Sequence, residues 1–268
     1  MSADRLRMVM VGLALGMIGA SVGLGATSAA TLSDKKPNSG VAAAHDMPVQ
    51  GIDVSYFQGN IDWKKVSRAG IRFAYIKATE GTDRFDLEFR DNWAGAKKAG
   101  VVRGAYHMMY WCSYASEQAS WFLQHLPKDA DTLPPVLDVE WNGYSKTCPH
   151  EISRTSALAK IKVMLDAIEA QTGRRPIIYT DPKFHRDVLA GEFTDYQFWV
   201  RSVAAKPRAK YPGRDWSFWQ FTTTGRVPGV AGAVDRNTYN GTVADWKRVE
   251  KRLQANGGAT GAVPASAE

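Results

Sequence analysis

The sequence predicts an α/β fold: one irregular barrel of the TIM type. Three observations lead there. Short apolar strands alternate with helical patterns through the first half of the chain, which argues for a parallel sheet. Eight strand candidates appear, enough to close a barrel. The last three are joined by short polar, Gly-rich connections without room for a full helix, so the second half is irregular and its late strands are candidates for antiparallel pairing.

The strand candidates are GIDVSYF (51–57), FAYIKATEG (73–81), VVRGAYHMMY (101–110), LPPVLDVEW (133–141), PIIYT (176–180), FWVRSV (198–203), WSFWQFT (216–222) and AVDRN (233–237). Helical patterns fill 87–100, 113–126 and 152–173. The first and last end on Gly100 and Gly173, as a helix stopping at a left-handed residue does. The middle one begins at Ser113, a candidate N-cap.

The flanks read differently. MSADRLR carries Arg5 and Arg7, an uncharged apolar run follows, and ATSAA closes it at 26–30. Residues 1–30 therefore read as a signal peptide, with an uncleaved membrane anchor as the alternative. Both export the domain, to the periplasm or beyond, and only the anchor ties it to a membrane. Residues 31–48 lack periodicity and read as a flexible linker. Residues 255–268 have a disordered composition. The folded domain is expected over 49–254, as a monomer.

The net charge is +7, but the basic residues are scattered and no block of five or more occurs. A diffuse positive surface fits that pattern better than a nucleic-acid stripe. No GxGxxG or P-loop points to a nucleotide, and no GxSxG elbow points to serine hydrolysis. The five His are scattered, so neither a metal nor another cofactor is expected. Nine Trp and ten Tyr suit a groove that stacks on rings, and equally a large core.

The chemistry concentrates in PPVLDVEW, 134–141. Strand side chains alternate, so Asp138 and Glu140 point the same way, with Cβ atoms roughly 6 to 7 Å apart. Like charges so close cannot both ionise cheaply, and one then holds a proton near neutral pH. A glycosidic general acid needs such a proton. The alternative is a structural ion pair with Lys or Arg. In a barrel, chemistry sits at the carboxyl ends of the strands. Asp53 in strand one and Asp235 in strand eight could converge there with the pair, although each alone also reads as a turn carboxylate. Glu80 reads as a loop cap and His107 as a core histidine.

Taken together, GIDVSYFQGNIDW, FAYIKATEG, GAYHMMY, PVLDVEW and GAVDRNTYNG resemble, in order and spacing, the glycoside hydrolase family 25 lysozymes, the Chalaropsis-type muramidases. The resemblance covers about 51 to 246. It implies a flattened (β/α)5(β)3 barrel that cleaves the β-1,4 bond between N-acetylmuramic acid and N-acetylglucosamine in peptidoglycan glycan strands, with the sugar's acetamido group as nucleophile. Glu140 would be the acid/base, Asp138 its partner carboxylate, and Asp53 and Asp235 the other acids. Tyr75, Tyr106, Trp141, Tyr179, Trp219, Gln220 and Asn237 would line the groove. The rival readings are a non-catalytic wall-binding domain, disfavoured because all four acids are present, and a chitinase-like enzyme. Chitinases carry further aspartates upstream of the Asp-x-Glu, where this chain has Pro134 and Val136.

Cys112 follows strand three and Cys148 follows strand four. Export favours a disulfide between these neighbouring loops, with two free thiols as the alternative.

Overall fold

The computed structural model describes residues 41–259. In chain order the elements are α1 (Ala42–His45), β1 (Gln50–Val54), α2 (Trp63–Arg68), β2 (Ile71–Glu80), β3 (Arg84–Phe85), α3 (Phe89–Lys98), β4 (Val102–Met108), α4 (Ala115–His125), β5 (Val136–Val139), α5 (Arg154–Thr172), β6 (Ile177–Thr180), α6 (Pro182–Phe184), β7 (Phe198–Arg201), α7 (Pro207–Lys210), β8 (Phe218–Gly225), β9 (Val234–Tyr239) and α8 (Val243–Ala259). A π-helical turn, His185–Leu189, continues α6.

The strands form one sheet in the order β1-β9-β8-β7-β6-β5-β4-β2-β3, and a β1–β2 pairing closes it. Eight strands thus make the barrel, while β3 is a short antiparallel flap on β2. Within the barrel, β1, β2, β4, β5, β6, β7 and β8 pair in parallel, each with the next. Among the barrel strands β9 alone is antiparallel, to both β8 and β1. The expectation of antiparallel late strands therefore holds for one strand of the three. A helix still follows β6 and a short one follows β7, and these carry the chain back for parallel pairing. Only the β8–β9 connection is too tight for that.

Alternation sorts the side chains. Val136 and Tyr179 point into the barrel with Phe73, Tyr75, Trp199 and Phe218. Leu137, Val139 and Ile178 point outward, under α5. The barrel interior is an aromatic plug, with Tyr75 stacked on Trp199 at 4.9 Å. Burying each such ring contributes about 2 to 3 kcal/mol. The plug needs a glycine beside it: a Cβ on Gly104 would lie 2.4 Å from the Tyr75 ring.

Local signals account for the helix ends. Gly173 closes α5 in the left-handed region at φ 64°, and the Ser153 side chain caps the start of that helix. Gly100, just past α3, sits at φ 71°. The start of α4 differs from expectation: its cap residue is Tyr114, with no side-chain cap, and the Ser113 carbonyl instead accepts from Lys160 Nζ at 2.6 Å.

Both described flanks are more ordered than their composition implies. Residues 41–48 include α1, and Ala44 is buried against Trp219 and Phe221. Helix α8 runs to Ala259, past the expected boundary at 254. Its Trp246 and Leu253 pack onto the base of the barrel, and that anchoring outweighs the Gly and Ala content of the last turn. The proposed signal peptide or anchor, most of the linker and the end of the tail lie outside the described residues.

Candidate active site

A cavity of about 350 Å³ opens at the carboxyl ends of the parallel strands. Asp53, Asp138, Glu140 and Asp235 all line it, with Tyr106, Tyr179 and Gln220. Asp53 leaves β1, and Asp138 and Glu140 leave β5. Asp235 arrives by another route. It stands near the amino end of β9, and because β9 runs antiparallel, that end lies among the exits of the other strands. Register sets Asp235 directly opposite Asp53.

Fixed amides hold these acids. Asp53 Oδ1 accepts from Asn237 Nδ2 at 2.7 Å and from Gln220 Nε2 at 3.0 Å. The same Gln220 Nε2 donates to Asp235 Oδ2 at 3.2 Å. Gln220 is oriented by the Tyr179 hydroxyl, which donates to its Oε1 at 2.9 Å. Asn237 is oriented by Trp199 Nε1, which donates to its Oδ1 at 2.7 Å. Asp138 differs: its Oδ1 is buried without a hydrogen-bond partner among the described residues.

Burial dominates the electrostatics. It pushes Asp53 up to about 6, against the bonds from Asn237 and Gln220. It pushes Glu140 up to about 7, helped by the charge of Asp181 and opposed by Arg201 and Lys77. Asp138 is held well above the usual carboxylate range by burial and then by Glu140. Asp235 is held high by burial and then by Asp53. The cavity therefore holds protons near neutral pH that can be transferred.

Several residues expected in the groove stand elsewhere. Tyr75 lies beneath the cavity, fully buried in the aromatic plug. Asn237 sits behind Asp53 as a bonding partner and is also fully buried. Trp219 points out of the barrel, packs under α1 and donates to the Ser202 carbonyl at 2.9 Å. In β8, Phe218 and Gln220 face inward, so alternation turns Trp219 away. Trp141 packs edge-on against Trp111 and Phe184 and donates to Asp187, beside the cavity rather than in its lining. His107 is a core residue between Thr79 and Gln118, and burial lowers it to about 4. Glu80 binds Lys77, Arg84 and the Tyr110 hydroxyl. Cys112 and Cys148 form a disulfide that joins the loops after β4 and β5, with Cα atoms 5.7 Å apart.

A larger cavity of about 680 Å³ lies near the amino ends of β5 and β6, lined by Leu133, Thr132 and Arg174 among others, and holds none of the four acids. The chemistry belongs to the smaller one.

The sequence pattern of glycosyl hydrolases family 25 matches residues 52–230, the segment that supplies β1 through β8 and three of the four acids. The chain belongs to glycosyl hydrolase family 25. Lysozyme M1 of Streptomyces globisporus is 39% identical over 213 positions, covering 76% of this chain and 72% of that one. A crystal structure of the lysozyme from Streptomyces coelicolor is 37% identical, with a TM-score of 0.67 over 80% of this chain and 99% of that one. A family 25 glycosyl hydrolase from Bacillus anthracis superposes with a TM-score of 0.71 at 30% identity, over 81% and 98% of the two chains. The protein is a glycoside hydrolase, and its irregular barrel is the family fold.

Sequence reasoning missed four groups at this family 25 site. Lys77 lines the cavity and pairs with Glu80. Arg201, the last residue of β7, acts electrostatically on Asp53, Glu140 and Asp235. Asp181 follows β6. Phe57 lines the rim and is 74% exposed. A signal existed for three of them: each lies on or just past a strand read from the sequence, at its carboxyl end or facing the interior. Phe57 gave none, because its exposure depends on the short 3₁₀ turn Tyr56–Gln58.

Proposed function

We propose that this family 25 hydrolase is an exported lysozyme that cleaves the β-1,4 bond between N-acetylmuramic acid and N-acetylglucosamine in peptidoglycan. One observation carries the reading: two carboxylates of one strand end line the same cavity, one with a proton held near neutral pH and one with an unpartnered buried oxygen. The similarity to proteins named lysozyme supports the substrate. The leader composition and the disulfide support export.

In this reading the muramic acid ring sits with its acetamido group toward Asp138. The acetamido N–H supplies the missing donor to Asp138 Oδ1, which favours the ionised form of Asp138. That charge in turn keeps the proton on Glu140. Glu140 gives the proton to the glycosidic oxygen, the C1–O bond breaks, and the acetamido carbonyl oxygen bonds to C1. Asp138 steadies the positive charge of the resulting ring. Water then attacks C1, Glu140 takes back a proton, and the acetamido group is released with the original configuration at C1. Asp53 and Asp235, fixed by Gln220 and Asn237, stay on the far wall and add negative potential. The test is clearing of purified cell walls by the purified protein, with chitin as control. Cleared walls and untouched chitin are expected. No clearing overturns the enzyme reading, and chitin breakdown overturns the assigned bond.

A further inference from the structure

We propose that Asp181 is a positioning residue for this reaction, acting through Glu140 and setting the alkaline limit of activity. Strands β5 and β6 pair in parallel register, with Asp138 beside Tyr179 and Val139 beside Thr180. One residue further along each strand, Glu140 and Asp181 come side by side. Neighbouring strands lie about 4.8 Å apart, and register partners project to the same face. Asp138, Glu140 and Tyr179 line the cavity, and two-residue alternation places Asp181 on the same face next to Glu140, outside the lining itself. Asp181 is extended at φ −94° and ψ 165°, which continues the direction of β6 before α6 begins.

Asp181 also has a structural task. Its Oδ1 accepts from Phe184 N at 2.7 Å and so caps α6. An uncharged residue does this equally well: Asn and Ser rank with Asp as caps. The cap therefore does not explain a carboxylate beside the catalytic acid. The charge has a consequence that the cap lacks. After burial, Asp181 is the largest influence holding the proton on Glu140.

Other groups face the pair from every side. Asp53 of β1, Asp138 of β5 and Asp235 of β9 oppose ionisation of Glu140, while Lys77 of β2 and Arg201 of β7 favour it. Tyr106 of β4 and Tyr179 of β6 line the same cavity, with hydroxyls that burial keeps protonated. Around Asp181 itself, Arg201 and Lys183 favour its charge and Asp187 opposes it. Burial raises Asp181, and the Phe184 bond and the two cations work against that rise.

The inference rests on Glu140 being the acid. The experiment measures kcat/KM against pH for the full chain and for Asp181→Asn and Asp181→Ser, on a purified soluble glycan-strand fragment of peptidoglycan. The alkaline limb of kcat/KM reports the acid of the free enzyme. Without the Asp181 charge Glu140 loses its proton earlier, so both variants shift that limb down by about half a unit to one unit. Near pH 5 both retain near-parental rates, and their melting temperatures stay close to the parent because the cap survives. An unmoved limb, or one that moves up, overturns the inference. Glu140→Gln, measured alongside, separates the two claims. If it is inert while the Asp181 limbs stand still, the inference alone fails. If it remains active, the reading of Glu140 fails.

Discussion

Asp53 and Asp235 stand opposite each other across the antiparallel β1–β9 pair, and one amide, Gln220 Nε2, bonds both. Like charges directly opposed in a sheet are destabilising, so this pair is held for the site rather than for stability. The unfolded chain releases these protons near pH 4, whereas burial delays Asp53 in the folded protein to about 6. Between those values the folded state binds more protons, so stability falls as pH rises. Asp235→Asn is expected to stabilise the protein by about 1 kcal/mol at pH 7 and to give no gain near pH 4, while lowering the rate. Thermal melts at the two pH values check this. A gain that persists at pH 4 would contradict the electrostatic origin.

Phe57 and Trp219 separate groove from core. Phe57 is exposed on the cavity rim, and its ring packs on Tyr56 at 4.1 Å. The turn that carries it is fixed by the reciprocal Ser55–Gln58 capping pair and by Asp86, whose carboxylate accepts from Tyr56 N at 2.9 Å. A ring held so firmly in solvent suits stacking on a sugar. Phe57→Ala should raise KM about 3- to 10-fold with little change in melting temperature. Trp219→Phe should do the reverse: it orphans the Ser202 carbonyl, costs about 1 to 3 kcal/mol and leaves KM alone. Steady-state kinetics with a melting curve for each variant decides the matter.

The disulfide spans 36 positions and joins the loops that follow β4 and β5. Closing a loop of that length stabilises by about 4 kcal/mol on the chain-entropy account. The oxidised native protein should take up no thiol label until it is reduced, and Cys148→Ser should melt several degrees lower. Labelling of two thiols in the unreduced protein would remove the bridge.

The barrel and its four acids were legible because they depend on local rules. Alternation alone aims Asp138 and Glu140 together, and strand exits gather them with Asp53, whereas Asp235 joins them only because β9 runs antiparallel. Direction across the barrel was not legible wherever both faces of a strand are apolar. In WSFWQFT nothing local says whether Trp219 or Gln220 turns inward. Tyr75 raised the same difficulty along the strand: it faces the interior, but too deep to reach the cavity. The order of residues 41–48 depends on the surface exposed by Trp219 and Phe221, so composition could not reveal it. Asp181 was not singled out in the sequence, because its nearness to Glu140 appears only once β5 and β6 are in register.

The central claim is that Glu140 protonates the bond to N-acetylglucosamine at a muramic acid residue. Mass analysis of reduced wall fragments, after digestion with the parent and with Glu140→Gln, tests it most directly. Glu140→Gln keeps the shape and removes the proton, a loss of about 10² to 10⁴ in rate. The account predicts new reducing-end muramic acid from the parent and almost none from a folded Glu140→Gln. New reducing-end glucosamine, or undiminished release by Glu140→Gln, would contradict it.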